Sequence, residues 1–118
     1  MQNEENDLKL RTFSYARRII KLYTALPKTT LAQVLGRQVL RSGTSVGANY
    51  REANRGRSKA EFIAKIGDCL KEIDESAYWL ELIDAEKLLP SEKLTALRDE
   101  TNQLTAILVT ILNRSKIK

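Results

Sequence analysis

Residues 41–82 read RSGTSVGANYREANRGRSKAEFIAKIGDCLKEIDESAYWLEL, and this stretch contains the clearest structural signals of the chain. Its first part is a helical pattern with many small residues between Ser42 and Ala48. Its second part places apolar residues at heptad spacing from Phe62 onward. Between the two parts, Ser58 and Glu61 form a Ser-x-x-Glu capping box, which marks the start of a helix. The stretch therefore predicts two consecutive long helices joined by a short turn.

The small residues between Ser42 and Ala48 admit two interpretations. They include Gly43 and Gly47, and glycine is a poor helix former. In one interpretation the helix is continuous, and the small residues let a neighbouring helix approach closely, with Ser and Asn side chains, Ser45 among them, bonding across the contact. In the other, the helix breaks and the glycines form a loop, although no Gly-Lys-Ser/Thr follows as it would in a phosphate-binding loop. We favour the continuous helix.

Similar periodic patterns extend to both sides of this stretch. Pro27 and Pro90 are the only prolines in the 118 residues, and each is followed by an expected N-cap, Thr30 and Ser91 respectively. We expect an all-α fold, an antiparallel up-down-up-down four-helix bundle that forms one domain over residues 1–118. A disordered tail is expected at about residues 1–7. The expected helices cover residues 8–26, 31–54, 59–87 and 92–114.

The composition excludes several classes of chemistry. The chain has no histidine and one cysteine, so it contains no His general base, no Ser-His pair, no internal disulfide and no Cys/His zinc site. The segment Met1–Asp7 is polar and acidic, unlike a signal peptide, and the longest apolar runs are too short to span a bilayer. We therefore expect a cytoplasmic protein with no membrane partner, in which Cys69 stays reduced.

Three carboxylates on the third helix, Asp68, Glu72 and Glu75, are spaced to lie on one helical face. Such a set could hold a metal ion or act as acid and base. Di-iron bundles, however, use Glu-x-x-His pairs, and the other helices lack matching carboxylates. We expect instead that Arg41 and Arg51 pair with Glu72 or Glu75 between helices. The sequence therefore predicts no catalytic residue, no cofactor and no metal.

The third and fourth helices carry more apolar residues than one small core needs. Tyr78 and Leu82 fall on the side of the third helix away from its heptad stripe, and Trp79 lies about a right angle away. Ile107 and Val109 give the fourth helix apolar residues on further faces. Surplus apolar surface on so short a chain indicates a partner subunit. We predict that these five residues contribute to an oligomer interface.

The 20 basic and 15 acidic residues give a net charge of +5, which is unevenly distributed. Residues 31–57 contain five arginines and one glutamate, whereas residues 58–87 contain four lysines and eight acidic residues. Arginine suits phosphate because its planar fork makes paired hydrogen bonds. Aromatic residues make up 6% of the chain and do not alternate with basic ones, so base stacking is not expected. We expect the cations either to contact a nucleic-acid backbone or simply to form a solvated face, and the sequence favours neither. The candidate contacts are Arg17, Arg18, Lys21, Arg37, Arg55 and Arg57.

A specific resemblance to a known family rests on motifs within this central stretch. The stretch resembles four-helix-bundle proteins related to the protein encoded in intervening sequences of bacterial 23S ribosomal RNA genes. That group is also similar to the accessory variability-determinant protein of diversity-generating retroelements. The resemblance extends from about Phe13 to Leu112. The matching residues are Ser45-Val46-Gly47-Ala48-Asn49, Glu52, Arg57-Ser58, Glu61-Phe62, Leu70-Lys71-Glu72, Glu75 and Tyr78-Trp79-Leu80.

The resemblance implies an antiparallel bundle that assembles into a ring, typically a homopentamer, with no enzyme activity. In the retroelement branch it implies a basic surface that binds nucleic acid and a reverse transcriptase. Its signature residues have a structural interpretation as well: Ser45 and Gly47 permit close helix approach, and Asn49 and Glu72 are expected to bond to each other. The leading hypothesis is thus a non-enzymatic oligomer that binds RNA or DNA backbone. The alternative is a protein-interaction scaffold with no nucleic-acid role.

Overall fold

Four α-helices and their short connections account for residues 4–117, the part of the chain that the computed structural model describes, with side chains described from residue 7 onward. No β-strand occurs within residues 4–117, so the all-α prediction is confirmed. The helices are α1 (Glu4–Ala25), α2 (Thr30–Asn54), α3 (Lys59–Ala85) and α4 (Glu92–Lys116).

The first helix begins earlier than the sequence pattern predicted. We expected a tail over residues 1–7 and a helix from Leu8, but the backbone is helical from Glu4. Acidic residues are favourable at the positive end of a helix dipole, which explains why a polar segment continues the helix. Residues 1–3 of the expected tail lie outside the described residues.

Capping explains where α2 and α3 begin. The N-cap of α2 is Thr29, not the expected Thr30, and its hydroxyl accepts a hydrogen bond from Ala32 N at 3.3 Å. At α3 the Ser58 hydroxyl accepts from Glu61 N at 3.1 Å, as the capping box predicts. The return bond is displaced by one residue, because the Glu61 carboxylate accepts from the backbone N–H of Arg57 rather than from that of Ser58.

The connection between α3 and α4 differs from the expectation at both of its ends. The third helix ends at Ala85, and Lys87 takes the left-handed conformation with φ 55°, so that Leu88 N can donate to Ile83 O at 3.1 Å. Ser91 has helical dihedrals and makes no side-chain cap. Its hydroxyl donates instead to Asp84 Oδ1 at 2.7 Å, which ties the start of α4 to α3.

The small residues of α2 lie within a continuous helix, so the loop interpretation was wrong and the close-approach interpretation is confirmed. A Cβ added at Gly43 would sit 2.7 Å from Cγ1 of Ile19 on α1. A Cβ added at Gly36 would sit 2.6 Å from Cδ1 of Leu26. The glycines are therefore needed because α1 packs directly on their backbone.

The core is built from one apolar stripe on each helix. The most extensive helix contact is between α2 and α3, and the loosest is between α1 and α4. Burial of apolar surface is the main stabilising contribution in such a bundle. The largest fully buried apolar side chains are Ile19, Val39, Val46, Ile66, Ile73, Leu80, Ile83, Leu94, Leu104 and Leu108.

A small set of buried hydroxyls interrupts this apolar core. Tyr15 OH lies 2.7 Å from Thr101 Oγ1, and Ser42 Oγ lies 2.8 Å from Ser76 Oγ. Thr101 donates to Leu97 O at 2.8 Å, so its own proton is used and Tyr15 is the donor of the pair. We call Tyr15, Ser42, Ser76 and Thr101 the hydroxyl layer, and it includes one residue from each helix. No buried side-chain nitrogen or oxygen among the described residues lacks a partner.

Gly43 and Gly67 form a matched pair for testing helix approach. We expect Gly43→Ala to lower the free energy of unfolding by about 1–3 kcal/mol, because the fully buried Ile19 cannot move aside. A Cβ added at Gly67 would have no neighbour within 4 Å, so Gly67→Ala should raise the free energy by about 0.4–1 kcal/mol. Urea denaturation measures both. A stabilising Gly43→Ala would contradict the close approach.

The hydroxyl layer also predicts a dependence of stability on alkaline pH. Burial raises the pKa of Tyr15 to about 12 from 10.0, outweighing the hydrogen bonds to Thr101 and Ser76 that lower it. Because the pKa of Tyr15 is higher in the folded than in the unfolded chain, the neutral phenol contributes stability that is complete below pH 10 and is lost as pH rises towards 12. Between these values the unfolding free energy of the parent should fall by about 2 kcal/mol more than that of Tyr15→Phe. Equal losses in the two proteins would contradict this burial.

Candidate nucleic-acid interface

The structure separates the arginines of this chain into those that pair with carboxylates and those that do not. Arg11 on α1 makes two bonds to Glu100 on α4, at 2.7 and 3.1 Å, and this hydrogen bonding raises the pKa of Arg11. Arg98 pairs with Asp84 at 2.8 Å, between α4 and α3. Both pairs are partly shielded from solvent and join neighbouring helices, so these arginines serve the fold.

Arg41 also belongs to the paired group, and it bonds to both carboxylates that were expected as its partners, Glu72 and Glu75. Its guanidinium bonds to Glu72 Oε1 at 3.2 Å and to Glu75 Oε2. The same Glu75 oxygen accepts a hydrogen bond from Trp79 Nε1 at 3.0 Å. Arg41 therefore links α2 to α3, and a guanidinium occupies the acidic face that was weighed as a metal site.

Three expected interhelical polar contacts are not formed. Arg51 is ten residues beyond Arg41, about 15 Å along the helix, and is too far to share its carboxylates. No hydrogen bond joins the half-buried Asn49 to Glu72, because that carboxylate lies at the level of Arg41, and Asn49 is eight residues, about 12 Å, further along α2. Ser45 donates to Arg41 O at 2.7 Å within its own helix, as serine in a helix often does, and so makes no bond across the contact.

The six candidate nucleic-acid contacts are all exposed, and none has a carboxylate within 4 Å among the side chains of residues 7–117. They do not form one patch. Arg37 and Arg55 are 18 residues apart, or about 27 Å along α2, and Arg57 follows in the connection to α3. The remaining three, Arg17, Arg18 and Lys21, lie within about one turn of α1, and we call them the α1 cluster.

The structure adds one cation to the α1 cluster that sequence reasoning missed. Arg18 and Lys21 line a cavity of about 240 Å³ together with Lys93 of α4, above a floor that includes Leu22 and Leu97. Lys93 is more than seventy residues away along the chain. Only the packing of α1 against α4 brings it to the cluster, so no local sequence signal could have identified it.

A second cavity, of about 390 Å³, lies on the outer side of the contact between α1 and α2, and we call it the α1–α2 groove. It brings together Phe13, Arg51 and Arg55, which no spacing in the sequence connects. The guanidinium carbon of Arg51 lies 5.5 Å from the centroid of the Phe13 ring. The sequence shows no alternation of basic and aromatic residues, and these residues come together only because two helices pack side by side. The other lining residues are Thr12, Ala16, Thr44, Gly47, Ala48 and Glu52.

The five residues predicted at an oligomer interface differ in exposure. Tyr78 is 55% exposed and Val109 is 40% exposed. Trp79, Leu82 and Ile107 are half-buried and pack against the core of their own chain. Several apolar residues that the periodicity did not single out are also exposed: Leu10, Phe13, Ile20, Leu31, Val34 and Ile117. The apolar surface is thus spread over more helices than expected.

The remaining reactive side chains, Cys69 and Asp68, make contacts within the fold. Cys69 is buried, donates to Val46 O at 3.6 Å, and has a pKa raised to about 12, chiefly by burial. Asp68 lies 3.9 Å from Lys65. Among the side chains of residues 7–117, no three acidic or cysteine residues are grouped as a metal site requires. None of the helices within residues 4–117 combines the length and apolarity needed to cross a membrane.

Comparisons with known proteins agree with this architecture. The family model described as 23S rRNA-intervening sequence protein matches residues 4–110. A crystal structure of a protein of unknown function from the S23 ribosomal protein family of Bacteroides thetaiotaomicron is similar, with 35% sequence identity and a TM-score of 0.88 over 94% of this chain and 99% of that one. No curated protein sequence matches significantly. This four-helix bundle therefore belongs to the 23S rRNA-intervening sequence protein family.

Proposed function

We propose that this protein is a non-enzymatic homo-oligomer that binds the backbone of RNA or DNA through its unpaired cations. One observation carries the proposal. Arg11, Arg41 and Arg98 each have a carboxylate partner. None of the six candidate nucleic-acid contacts has a carboxylate within 4 Å among the described side chains. A cation that already bonds to a carboxylate is neutralised and has few free hydrogen-bond donors for another anion. The unpaired ones are exposed and keep their hydrogen-bond donors for phosphate.

The α1 cluster is the strongest part of this surface. Arg17, Arg18 and Lys21 project from neighbouring positions of one helix, and Lys93 joins them from α4. Like charges so close repel one another, and a polyanion relieves the repulsion while releasing its own counterions. Contacts of this kind read the charge and spacing of phosphates and carry no base sequence. The expected ligand is therefore a generic nucleic acid.

For the architecture we propose an antiparallel up-down-up-down arrangement that assembles into a ring, pentameric by resemblance to the retroelement accessory proteins. The interhelical pairs support the arrangement: Glu52 meets Lys65 near the α2–α3 connection, and Arg41 meets Glu75 far from it. Exposed Tyr78 and Val109 support self-association, since apolar side chains on a small chain are commonly covered in an assembly.

The same resemblance supports a second partner, a reverse transcriptase that works on the bound nucleic acid. In that case the basic surface would hold the nucleic acid while another face of the oligomer contacts the enzyme. The genomic neighbourhood tests this role. A reverse-transcriptase gene and paired repeats beside this gene would support it, and an isolated position within a ribosomal RNA gene would count against it.

An interaction scaffold without nucleic-acid binding is the second candidate, and the exposed apolar residues favour it. Leu31 and Val34 are each nearly half exposed, and they lie on α2 rather than on the helix that carries the α1 cluster. A scaffold would use such residues to bind other proteins, with its charges serving solubility. Binding measurements with nucleic acid at two salt concentrations distinguish the two candidates, because only the first predicts salt-dependent affinity.

Neutralising the α1 cluster tests the nucleic-acid proposal. We expect the variant Arg17→Ala, Arg18→Ala, Lys21→Ala to bind generic RNA and DNA about 10–100-fold more weakly at about 50 mM salt, with a shallower salt dependence by about two to three units. The control Lys71→Ala, Lys87→Ala, Lys116→Ala removes the same charge from exposed positions elsewhere. Filter binding measures both. Equal losses in the two variants would mean that net charge alone matters and would reject this surface.

Light scattering tests the assembly. The parent should have several times the 13.4 kDa mass of one chain. Introducing charge at two exposed apolar sites, Tyr78→Asp with Val109→Asp, should reduce the mass while the helical circular-dichroism signal persists, because an unpaired charge is costly in an interface. Ile117→Asp, at a residue that is 68% exposed, is the control and should leave the mass unchanged. A parent of strictly 13.4 kDa would contradict self-association.

A further inference from the structure

The α1–α2 groove has an aromatic wall and a floor of small residues. Phe13 is 50% exposed, although a phenylalanine this large is usually buried in a core. Ala16, Gly47 and Ala48 leave the space beside it open. Gly47 is close to α1, since a Cβ there would lie 3.2 Å from Thr12 Oγ1. The close approach of the two helices thus creates the groove and keeps a flat ring at its side.

The charges in the groove favour an anionic occupant. Glu52 is the one acidic residue that lines it, and its carboxylate is 2.6 Å from Lys65 of α3, which lowers the pKa of Glu52. Arg51 and Arg55 therefore face the groove with no carboxylate within 4 Å among the side chains of residues 7–117. Arg17, the member of the α1 cluster nearest to Phe13 in the chain, is one turn further along α1 and continues this row of cations.

An exposed ring beside unpaired arginines is the combination that proteins use for unpaired nucleic acid. Bases of a single strand stack on aromatic rings, and the adjoining phosphates contact cations. In a duplex the bases are already stacked and paired, so no base is free to stack on a surface ring. Backbone contact by the α1 cluster would not require Phe13 at all. The ring therefore adds a capacity that charge alone does not provide.

We infer that the α1–α2 groove receives one unstacked base of a single-stranded nucleic acid, which stacks on the Phe13 ring while Arg51 and Arg55 contact its phosphates. The ring is available because the contact that Arg51 makes with it is exposed, and such contacts are weak. The guanidinium can move from the ring to a phosphate as the base enters. This inference rests on the proposed function, and it narrows the ligand from any nucleic acid to one with unpaired bases.

The test compares oligouridine of about 16 nucleotides with an RNA duplex of equal length, using the full chain. Phe13→Ala should weaken binding of the single strand about tenfold and change binding of the duplex less than twofold. Phe13→Trp should restore single-strand binding, because indole also stacks with bases. Leu31→Ala is the matched control: Leu31 is 47% exposed on α2, lines neither the groove nor the cavities beside the α1 cluster, and should affect neither ligand.

The outcomes separate this inference from the proposed function. If Phe13→Ala leaves single-strand binding unchanged, or weakens both ligands equally, the groove does not receive a base, even where neutralising the α1 cluster still reduces binding. If the parent binds neither ligand, the proposed function fails and this inference fails with it. If Phe13→Ala instead lowers the mass measured by light scattering, the groove is an interface between copies of the chain, and the inference is overturned.

Discussion

The hydrogen bonds of the hydroxyl layer set how the four helices align along the bundle. An apolar side chain can exchange one apolar neighbour for another at small cost, whereas a buried hydroxyl without a partner costs about 1–3 kcal/mol. Tyr15 bonds to Thr101 across α1 and α4, and Ser42 bonds to Ser76 across α2 and α3. Sliding either helix pair by one turn would break one of these bonds. The layer therefore fixes which residues meet on the outside of the bundle.

The surface follows from this alignment together with the small residues of α2. Because Gly43 lies against Ile19, the backbones of α1 and α2 come close, and Phe13 is brought beside Arg51. On the other side of α2, the same alignment places Arg41 between two carboxylates of α3. Identical residue types on one helix thus acquire different environments: Arg41 is paired with two carboxylates, whereas Arg51 lies over an aromatic ring.

Much of the fold could be predicted from this sequence, because its signals are local. Apolar periodicity, the capping box at Ser58 and the two prolines indicate the four helices, and the run of small residues indicates a close contact, which Gly43 makes with Ile19. The candidate site was less predictable, because it depends on the alignment of different helices. Nothing near Arg51 in the chain indicates Phe13, and nothing near Lys21 indicates Lys93. The expected bond between Asn49 and Glu72 also depends on how α2 and α3 align, and that alignment places Arg41 rather than Asn49 at the carboxylate.

The charges of the helices also have a consequence for how the molecule approaches a ligand. The backbone of α1, with its basic cluster, runs beside those of α2 and α4, whereas within the described residues only side chains such as Tyr15 reach the acidic α3, so α1 and α3 lie diagonally across the bundle. Each chain therefore carries an electric dipole transverse to its helices, in addition to its net charge. In the field of a polyanion this dipole rotates the chain before contact, with α3 turned away. If the chain binds nucleic acid as proposed, this orientation during diffusion would raise the association rate, and the acidic helix would contribute to binding without touching the polyanion.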